Sequence, residues 1–311
     1  PGPATEEEWA ATYPLEKEAL DYFIHNAGSP NGVIDGGLAI FASGNEYAAQ
    51  SSFPAAYSKC ISVAALAADY TPATYTNYGS EVALSAPGGD LEYYGTPGEA
   101  DEAYDEQGVL REQGAIFSTL VVNGVPGYGY YEGTSMACPH ISGVAALGLA
   151  YAKQLKRHFT WKEFRDLMVS TGEDIDSYFV GDKLIHWNHT SPGATPTKIA
   201  LGGYKGKMGR KVDAGALLKA IDGSGRDMRL PNIYIAPEST YTLELGDYFV
   251  EKPTFAEVGN TAVATATLQG SSLTIKALSE GNTTLTITLE GGKSHTSNII
   301  VRRGANDNGI L

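Results

Sequence analysis

Three short apolar runs, at positions 38–42, 60–66 and 82–86, show little polar alternation. A strand buried on both faces of a parallel sheet has this pattern, because helices cover both of its sides. A fourth apolar stretch, residues 141–152, has Ser142 and the Tyr151 hydroxyl as its polar groups, and it predicts a helix running through a core. At about 12 residues, this helix is too short to span a membrane.

Near the start of the chain, the spacing of apolar residues predicts a covering helix. From Leu15, apolar residues recur at Ala19, Tyr22 and Phe23, the period of a helix that buries one face against a sheet. Residues 5–8 fit a capping box, which predicts an earlier acidic helical turn.

The pattern changes after Ala220, through the glycine- and serine-containing stretch 222–225, which has the composition of a linker. Beyond it, apolar residues alternate with Thr or Lys at period two, as at Leu273 and Ile275, and residues 299–301 form the last predicted strand. We therefore predict a domain at residues 1–224 and a small all-β sandwich at residues 225–311.

Ser135 lies between a glycine turn at Gly133 and the apolar helix that follows. Pro139 is expected in the first turn of that helix, where a missing backbone N–H removes no helical hydrogen bond. Backbone N–H groups at the positive end of a helix favour negative charge on a substrate oxygen, so this position suits a nucleophile. The alternative is a helix N-cap serine, which is the commoner role for a lone serine at such a boundary.

Asn45 follows the apolar run 38–42, at the end of a predicted parallel strand. Open α/β sheets bind ligands outside the carboxyl ends of their strands. The Asn45 side-chain amide is therefore a candidate second donor to an oxygen that becomes negative, next to the backbone N–H of Ser135. The alternative is an asparagine that only forms a turn.

The amino-acid sequences of five segments favour the catalytic interpretation of Ser135 and Asn45. Residues 133–140, Gly-Thr-Ser-Met-Ala-Cys-Pro-His, resemble the serine motif of the subtilisin-like proteases, the subtilases. Residues 38–46 are similar to the strand that ends in the family's oxyanion asparagine. Other segments follow in family order, and together the resemblance spans about residues 15 to 222; these segments are 52–57 with 61–65, 76–80 with 86–88, and 212–218.

The resemblance implies a three-layer α/β fold, with a mostly parallel sheet covered by helices on both faces. It implies a serine endopeptidase that acts on protein or peptide substrates and needs no cofactor for catalysis. Ser135 would be the acylated nucleophile, Asn45 would complete the oxyanion hole, and Thr134 would support the turn. A pocket for the residue before the cleaved bond would be lined by Ala42, Ser43, Gly44 and Ser52. Residues 278–285 are similar to bacterial immunoglobulin-like domains.

The family's base and its orienting aspartate lie upstream of the asparagine, and their segments have no counterpart in this sequence. His140 is nearest to Ser135, but five residues along a helix turn the side chain by about 500°, which leaves it about 140° away. We expect the other five histidines to be structural or solvated; they are His25, His158, His186, His189 and His295.

The chain thus resembles the C-terminal half of a subtilase catalytic domain. A half-sheet would expose strand edges and apolar surface, so we expect a companion N-terminal fragment that carries the catalytic Asp and His. Cleavage in a loop just before Pro1 would produce the pair. The alternatives are a simple fragment, or a degenerate homologue that serves as a non-catalytic binding or scaffold protein.

The net charge limits the classes of binding partner, and the two cysteines raise the question of thiol chemistry. With 22 basic and 36 acidic residues the formal charge is −14, which argues against nucleic acid or an anionic membrane surface as a partner. The composition is consistent with a secreted or cell-surface enzyme. Cys60 and Cys138 are expected to be inert buried thiols, although the sequence leaves a bridge between them open.

Two insertions separate the chain from the family pattern. Residues 89–114 hold eight acidic side chains and one arginine, so we expect a solvated loop. The alternative is a structural calcium site, because carboxylates are hard oxygen ligands; its candidate ligands are Asp90, Glu92, Asp101, Glu102, Asp105 and Glu106. The second insertion, residues 182–210, is rich in Gly, Pro and Thr and is expected to be irregular.

Overall fold

The computed structural model describes residues 2–28, 32–90, 114–185, 197–227 and 230–303. Two compact units share these residues. The first contains Pro1–Ile24, Leu38–Gly148 and Arg165–Ala220, and the second contains His25–Gly37, Leu149–Phe164 and Ile221–Leu311. The domain boundary predicted between residues 224 and 225 remains a prediction, because compactness alone does not fix where a domain ends along the chain.

The helices of the described ranges are α1 (Glu6–Thr12), α2 (Pro14–Asn26), α3 (Thr134–Gln154), α4 (Trp161–Thr171) and α5 (Ala214–Asp222). The strands are β1 (Ile34–Asp35), β2 (Ile40–Ala42), β3 (Ile61–Leu66), β4 (Val82–Pro87), β5 (Ile116–Val122), β6 (Val125–Tyr131), β7 (Arg157–Thr160), β8 (Asp182–Ile185), β9 (Thr197–Ala200), β10 (Arg210–Lys211), β11 (Arg226–Asp227), β12 (Ile233–Ile235), β13 (Thr240–Glu244), β14 (Pro253–Val258), β15 (Ala264–Gln269), β16 (Ser272–Ala277), β17 (Gly281–Leu289) and β18 (Ser294–Val301).

A parallel sheet in the order β10-β4-β3-β2 organises the first unit. All six residues of β3 are buried, and β4 is buried at four of its six positions. The strands predicted at 60–66 and 82–86 are confirmed. Because parallel strands end on the same side of a sheet, the segments that follow β2, β3 and β4 lie along one edge, where ligands bind in this class of fold.

Strand β2 is shorter and less buried than the sequence predicts. Residues Ile40, Phe41 and Ala42 are each only half-buried, so the expected burial on both faces is wrong for this strand. Its position explains the difference, since β2 pairs with β3 on one side and ends the sheet in the described part of the chain.

Helix α3 begins seven residues before the predicted apolar stretch, at Thr134. Pro139 therefore lies inside the helix, and the prediction that it occupies the first turn is wrong. Buried positions such as Ile141 and Ala145 face the core, but Gly143, Ala146 and Leu147 are exposed. The helix is apolar all round, as the pattern shows, yet only one face is covered. No helix in the described ranges combines the length and apolar composition needed to cross a bilayer.

Helix α2 covers the fold with a different face from the one predicted. Its apolar stripe at Leu15, Ala19, Tyr22 and Phe23 is exposed, whereas Ile24 is fully buried. The polar side of the helix holds it in place through the Asp21 carboxylate. Burial alone would raise the pKa of Asp21, but three hydrogen-bond donors outweigh it and hold that pKa well below its usual value; the donors are Lys17 (2.6 Å), Lys59 (2.6 Å) and the Tyr57 hydroxyl (2.5 Å).

Most of the first insertion, including Glu92, Asp101, Glu102, Asp105 and Glu106, lies outside the described residues. The second insertion is described at both ends, and the prediction that it is irregular is wrong there. Strands β8 and β9 pair as an antiparallel ladder, and a short 3₁₀ turn, Leu201–Tyr204, follows. Leu201 and Tyr204 are buried in the core of the unit, so burial of apolar side chains orders a segment whose composition favoured a loop.

In the second unit, the chain after residue 230 forms two sheets, β12-β18-β17-β14 and β13-β16-β15. Buried and exposed residues alternate along β16 and β17, as predicted from their sequences. The immunoglobulin-like character of this region remains a prediction.

His295 on β18 gives this region a pH-dependent stability. Its ring lies 4.5 Å from the Phe249 ring, and its Nε2 atom is buried with no hydrogen-bond partner among the described residues. Burial lowers the pKa of His295 below its usual 6.5, with the Lys293 charge acting in the same direction and Glu251 opposing it. The unfolded chain therefore binds a proton that the folded chain resists.

We expect the contribution of His295 to the free energy of unfolding to be largest above about pH 6.5 and to fall as the pH decreases through that value, by at most about 1.4 kcal/mol per pH unit. Replacing His295 with phenylalanine, which keeps the contact with Phe249, should remove this component. Urea titrations of both proteins at pH 5, 6 and 7 measure it, and equal slopes in the two proteins would contradict the prediction.

Candidate active site

Ser135 lies in the first turn of α3 and is exposed. The turn before it is closed by the Gly133 carbonyl, which accepts from the N–H groups of Met136 (2.9 Å) and Ala137 (3.2 Å). Gly133, at φ 144°, precedes the helix, so Ser135 is not its N-cap, and that alternative is wrong. First-turn N–H groups have no intrahelical acceptor, so the Ser135 N–H is directed away from the helix body.

Asn45 contacts this turn through Thr134, the residue before Ser135. The Thr134 N–H (2.9 Å) and hydroxyl (2.7 Å) both donate to Asn45 Oδ1. Thr134 is fully buried, whereas Asn45 is exposed. Because two donors meet Oδ1, the orientation of the amide follows from its hydrogen bonds, and the Nδ2 group remains as a donor on the other side.

The two candidate donors lie close to one point in space. A Cβ atom added at Gly133 would lie 3.6 Å from the backbone nitrogen of Ser135 and 3.7 Å from Asn45 Nδ2. Any side chain at position 133 would begin in the space between the two donors. The same point lies 3.6 Å from Met136 Sδ, so glycine satisfies the backbone angle here and keeps a side chain out of the space beside both donors.

The predicted pocket residues lie together at the end of β2. The Ser52 N–H donates to the Ser43 carbonyl at 3.0 Å, which joins the two segments. Ser43 is fully buried; its hydroxyl donates to the Asn77 carbonyl and its N–H donates to the Val63 carbonyl, so its polar groups are engaged within the protein. Ala42 and Gly44 are half-buried and Ser52 is exposed. Their role in lining a pocket remains a prediction.

Asn77 and Tyr75, for which the sequence predicts no role, contact the two parts of this site, the Asn45 loop and the Gly133 turn. The side chain of Asn77 binds the loop that carries Asn45, and the Tyr75 hydroxyl binds the Gly133 turn. Asn77 lies in the segment 76–80, whose sequence is similar to the family, and Tyr75 directly precedes it, but polar residues in an irregular segment carry no periodicity that could indicate their partners.

The described histidines lie in surroundings of several kinds. His140 is exposed and its Nδ1 contacts the Met136 carbonyl at 2.8 Å. His158 is buried in the second unit, where its ring nitrogens meet the Gly32 carbonyl and an Asp35 oxygen. His25 lies edge-on to the Trp161 ring, and His295 belongs to β18. His186 and His189 lie outside the described residues.

Asp90, the one described candidate for a calcium ligand, is occupied by protein groups. It is 1% exposed, and its carboxylate accepts from the Lys183 ammonium (2.7 Å), the Thr74 N–H (3.0 Å) and the Thr74 hydroxyl (2.9 Å). An ammonium group in this position leaves no room for a divalent cation. Across the described ranges, no cluster of three or more His, Cys, Asp or Glu side chains is arranged to hold a metal ion.

Both cysteines are free thiols, which answers the question the sequence left open. Burial raises the pKa of Cys60 to about 12 and raises the pKa of Cys138 above its usual value. The Cys138 thiol lies 3.6 Å from the Ile40 carbonyl. Neither thiol is a nucleophile at neutral pH.

Residues 6–208 match the subtilase family, peptidase S8. Halolysin of Haloferax mediterranei is 39% identical over 114 residues, which are 36% of this chain and 17% of halolysin. An extracellular basic protease of Dichelobacter nodosus is 33% identical over 137 residues, 44% of this chain and 19% of that protease. Subtilisin amylosacchariticus of Bacillus subtilis subsp. amylosacchariticus is 30% identical over 199 residues, 58% of this chain and 42% of that subtilisin. The chain therefore spans less than half the length of each of these relatives.

Proposed function

Since the chain belongs to the subtilase family, we propose that it is the nucleophile-bearing part of a serine endopeptidase, which hydrolyses peptide bonds through an acyl-enzyme on Ser135. The observation that supports this proposal best is that the Ser135 N–H and Asn45 Nδ2 both lie close to one point beside Gly133. Acyl transfer requires this arrangement of two donors aimed at one oxygen.

In the proposed reaction, the Ser135 Oγ attacks the carbonyl carbon of the scissile bond and its proton passes to a base. The carbonyl oxygen gains negative charge and accepts hydrogen bonds from the Ser135 N–H and Asn45 Nδ2. Thr134 keeps the Asn45 amide in this orientation by donating twice to its oxygen. The positive end of α3 adds a favourable field at the same place.

We propose that the base and its aspartate belong to a companion N-terminal fragment. A serine hydroxyl is a weak nucleophile without a base, and the described histidines are engaged elsewhere. The exposed apolar surfaces of the first unit support a companion. They are the α2 stripe, the edge of β2 with which no described strand pairs, and the α3 face at Gly143, Ala146 and Leu147.

Burial of these surfaces would contribute to the free energy of binding a companion. Leu15 is 78% exposed, Tyr22 71% and Leu147 49%. Burying one such side chain contributes about 1.5–3 kcal/mol, and a paired edge strand gains backbone hydrogen bonds as well. A polypeptide with one apolar helix-binding face and a parallel edge strand would fit them.

We further propose that the enzyme is secreted or displayed at the cell surface and acts on proteins or peptides. One relative is named as an extracellular protease, and the net charge of −14 favours solubility.

A fluorophosphonate probe tests the proposed function. The natural protein is purified, labelled, denatured and analysed by mass spectrometry of the intact chains and of their peptides. We expect one label, on Ser135, together with a co-purifying polypeptide that supplies a histidine and an aspartate. Competition with a peptide substrate should slow the labelling.

Two other outcomes carry distinct meanings. Labelling of Ser135 in one longer polypeptide would retain the peptidase and reject the separate fragment. A protein that stays unlabelled, although it binds peptides or proteins, would favour the scaffold alternative.

A further inference from the structure

We propose that Tyr75 and Asn77 are positioning residues that jointly fix the distance between the two oxyanion donors, one holding the Gly133 turn and the other the Asn45 loop. This inference rests on the proposed function, because it assigns a catalytic consequence to the geometry around Ser135. The two donors belong to segments 90 residues apart in sequence, so their separation depends on contacts that join these segments.

Asn77 uses its whole side chain on the loop that carries Asn45. Its Oδ1 accepts from the N–H groups of Glu46 (3.0 Å) and Ala48 (2.9 Å), on the side of the loop that follows Asn45. Its Nδ2 donates to the Ser43 carbonyl (3.1 Å), on the preceding side, and to a Glu46 carboxylate oxygen (2.7 Å). One buried amide thus holds the loop on both sides of the proposed donor.

Gly44 lies directly against this amide. A Cβ atom at position 44 would meet Asn77 Nδ2 at 2.2 Å, and φ is 114°, so glycine is required on two grounds. The close approach leaves the loop little freedom to move relative to Asn77. Backbone bonds repeat the connection, since the Asn77 N–H donates to the Gly44 carbonyl and the Tyr47 N–H donates to the Tyr75 carbonyl, both at 2.9 Å.

Tyr75 holds the other donor segment. Its hydroxyl accepts from the Gly133 N–H (2.8 Å) and lies within donating distance of the Gly88 (2.9 Å) and Gly89 (2.6 Å) carbonyls. The Gly133 N–H also reaches the Gly88 carbonyl at 2.9 Å. The phenol hydroxyl therefore connects the end of β4 to the turn before Ser135 through hydrogen bonds.

The phenol stays a hydrogen-bond donor over the working range of an enzyme. Burial raises the pKa of Tyr75, and the carboxylates of Glu132 and Asp90 raise it further, although the Gly133 N–H opposes them. A neutral hydroxyl can accept one N–H and donate to a carbonyl at the same time.

The segment that joins these two side chains is itself fixed to the centre of the sheet. Thr76, between Tyr75 and Asn77, accepts a hydrogen bond from the N–H of Ala65 in β3 at 3.0 Å. Ala65 is fully buried. Both donor segments and strand β3 therefore meet at three consecutive residues, which would hold the two donors in place before substrate arrives.

The test of Asn77 uses an isosteric change and its rescue. In an Asn77→Asp variant, one carboxylate oxygen still accepts from Glu46 and Ala48, but the other opposes the Ser43 carbonyl and the Glu46 carboxylate. We expect kcat and the fluorophosphonate labelling rate to fall by about 10²-fold with KM nearly unchanged, because a displacement near 1 Å has this effect. Adding Glu46→Gln supplies a donor to the new carboxylate and should raise kcat and the labelling rate again by at least about tenfold. The Glu46→Gln variant alone keeps an acceptor for the Asn77 side chain.

The test of Tyr75 removes one oxygen atom. A Tyr75→Phe variant should lower kcat and the labelling rate by about 5- to 100-fold, again with little change in KM. Tyr57→Phe is the matched control, since it removes a buried hydroxyl that donates to Asp21 in the same unit and contacts neither donor segment. Thermal unfolding of each variant separates loss of stability from loss of positioning.

The outcomes separate this inference from the proposed function. The inference is overturned by folded Asn77→Asp and Tyr75→Phe proteins that react at the wild-type rate, or by losses that match Tyr57→Phe. An Asn77→Asp variant that does not fold leaves Tyr75→Phe to decide on the same readouts. A wild-type protein without label on Ser135 would instead contradict the proposed function.

Discussion

Replacing Ser135 with alanine is expected to lower kcat for peptide hydrolysis by about 10⁶-fold, a magnitude taken from a bacterial subtilisin, a relative of this chain. The alanine variant lacks the atom that forms the acyl bond but keeps the backbone N–H of residue 135 and the Asn45 amide. Hydrolysis should therefore remain about 10³- to 10⁴-fold above the reaction in water, supported by the remaining donors. Initial rates on a fluorogenic peptide, measured with the natural protein complex, give the ratio.

Ser142→Ala provides the matched control for this prediction. Ser142 lies in the same helix, is exposed, and its hydroxyl donates to the Cys138 carbonyl at 3.3 Å. Its loss should leave kcat unchanged. If Ser135→Ala retained more than a few per cent of the wild-type activity, the acyl-enzyme on Ser135 would be excluded.

The sequence predicted the central strands of the parallel sheet correctly because they are almost fully buried. Strands β3 and β4 are covered on both faces, so their composition reports their environment directly. The candidate site could also be proposed from the sequence, because a nucleophile at a helix start and an amide at a strand end are local features. Ser135 and Asn45 could be proposed as site residues without knowing any long-range contact.

The errors arose where a pattern shows an apolar face but not what covers it. The stripe at Leu15, Ala19, Tyr22 and Phe23 has helical spacing, yet the helix turns Lys17 and Ile24 inward and leaves the stripe exposed. The same holds for the outer face of α3. Both predictions assumed that apolar surface is buried within the chain, whereas a companion polypeptide would bury it between chains.

Long-range polar contacts could not be predicted for a different reason. Asn77 and Tyr75 bond through their side chains to partners 13 to 58 residues away, and these hydrogen bonds depend on how β2, β3, the end of β4 and the Gly133 turn meet. The buried pair of Asp90 and Lys183 is similar, since 93 residues separate an insertion carboxylate from its ammonium partner. Acidic composition suggested a cation at Asp90, but the protein supplies its own.

The Asn45 side chain offers the second large effect. An Asn45→Asp variant keeps an acceptor for the Thr134 N–H and hydroxyl, so the turn before Ser135 should stay in place. The variant replaces Nδ2, the group that would stabilise the oxyanion, with an oxygen that repels it. We expect kcat to fall by about 10²- to 10³-fold with KM nearly unchanged, the size found for the corresponding donor in a subtilisin, a relative of this chain.

Comparison of Asn45→Asp with Asn45→Ala separates the two functions of this residue. The alanine variant loses the donor and also leaves the buried Thr134 hydroxyl without its acceptor, so it should be less stable as well as slow. Asn298→Asp is the control, because it changes an exposed amide on β18 that donates to Asn232 at 3.1 Å. If Asn45→Asp kept the wild-type kcat, the oxyanion would have to be stabilised by other groups, and the convergence of donors beside Gly133 would have no catalytic role.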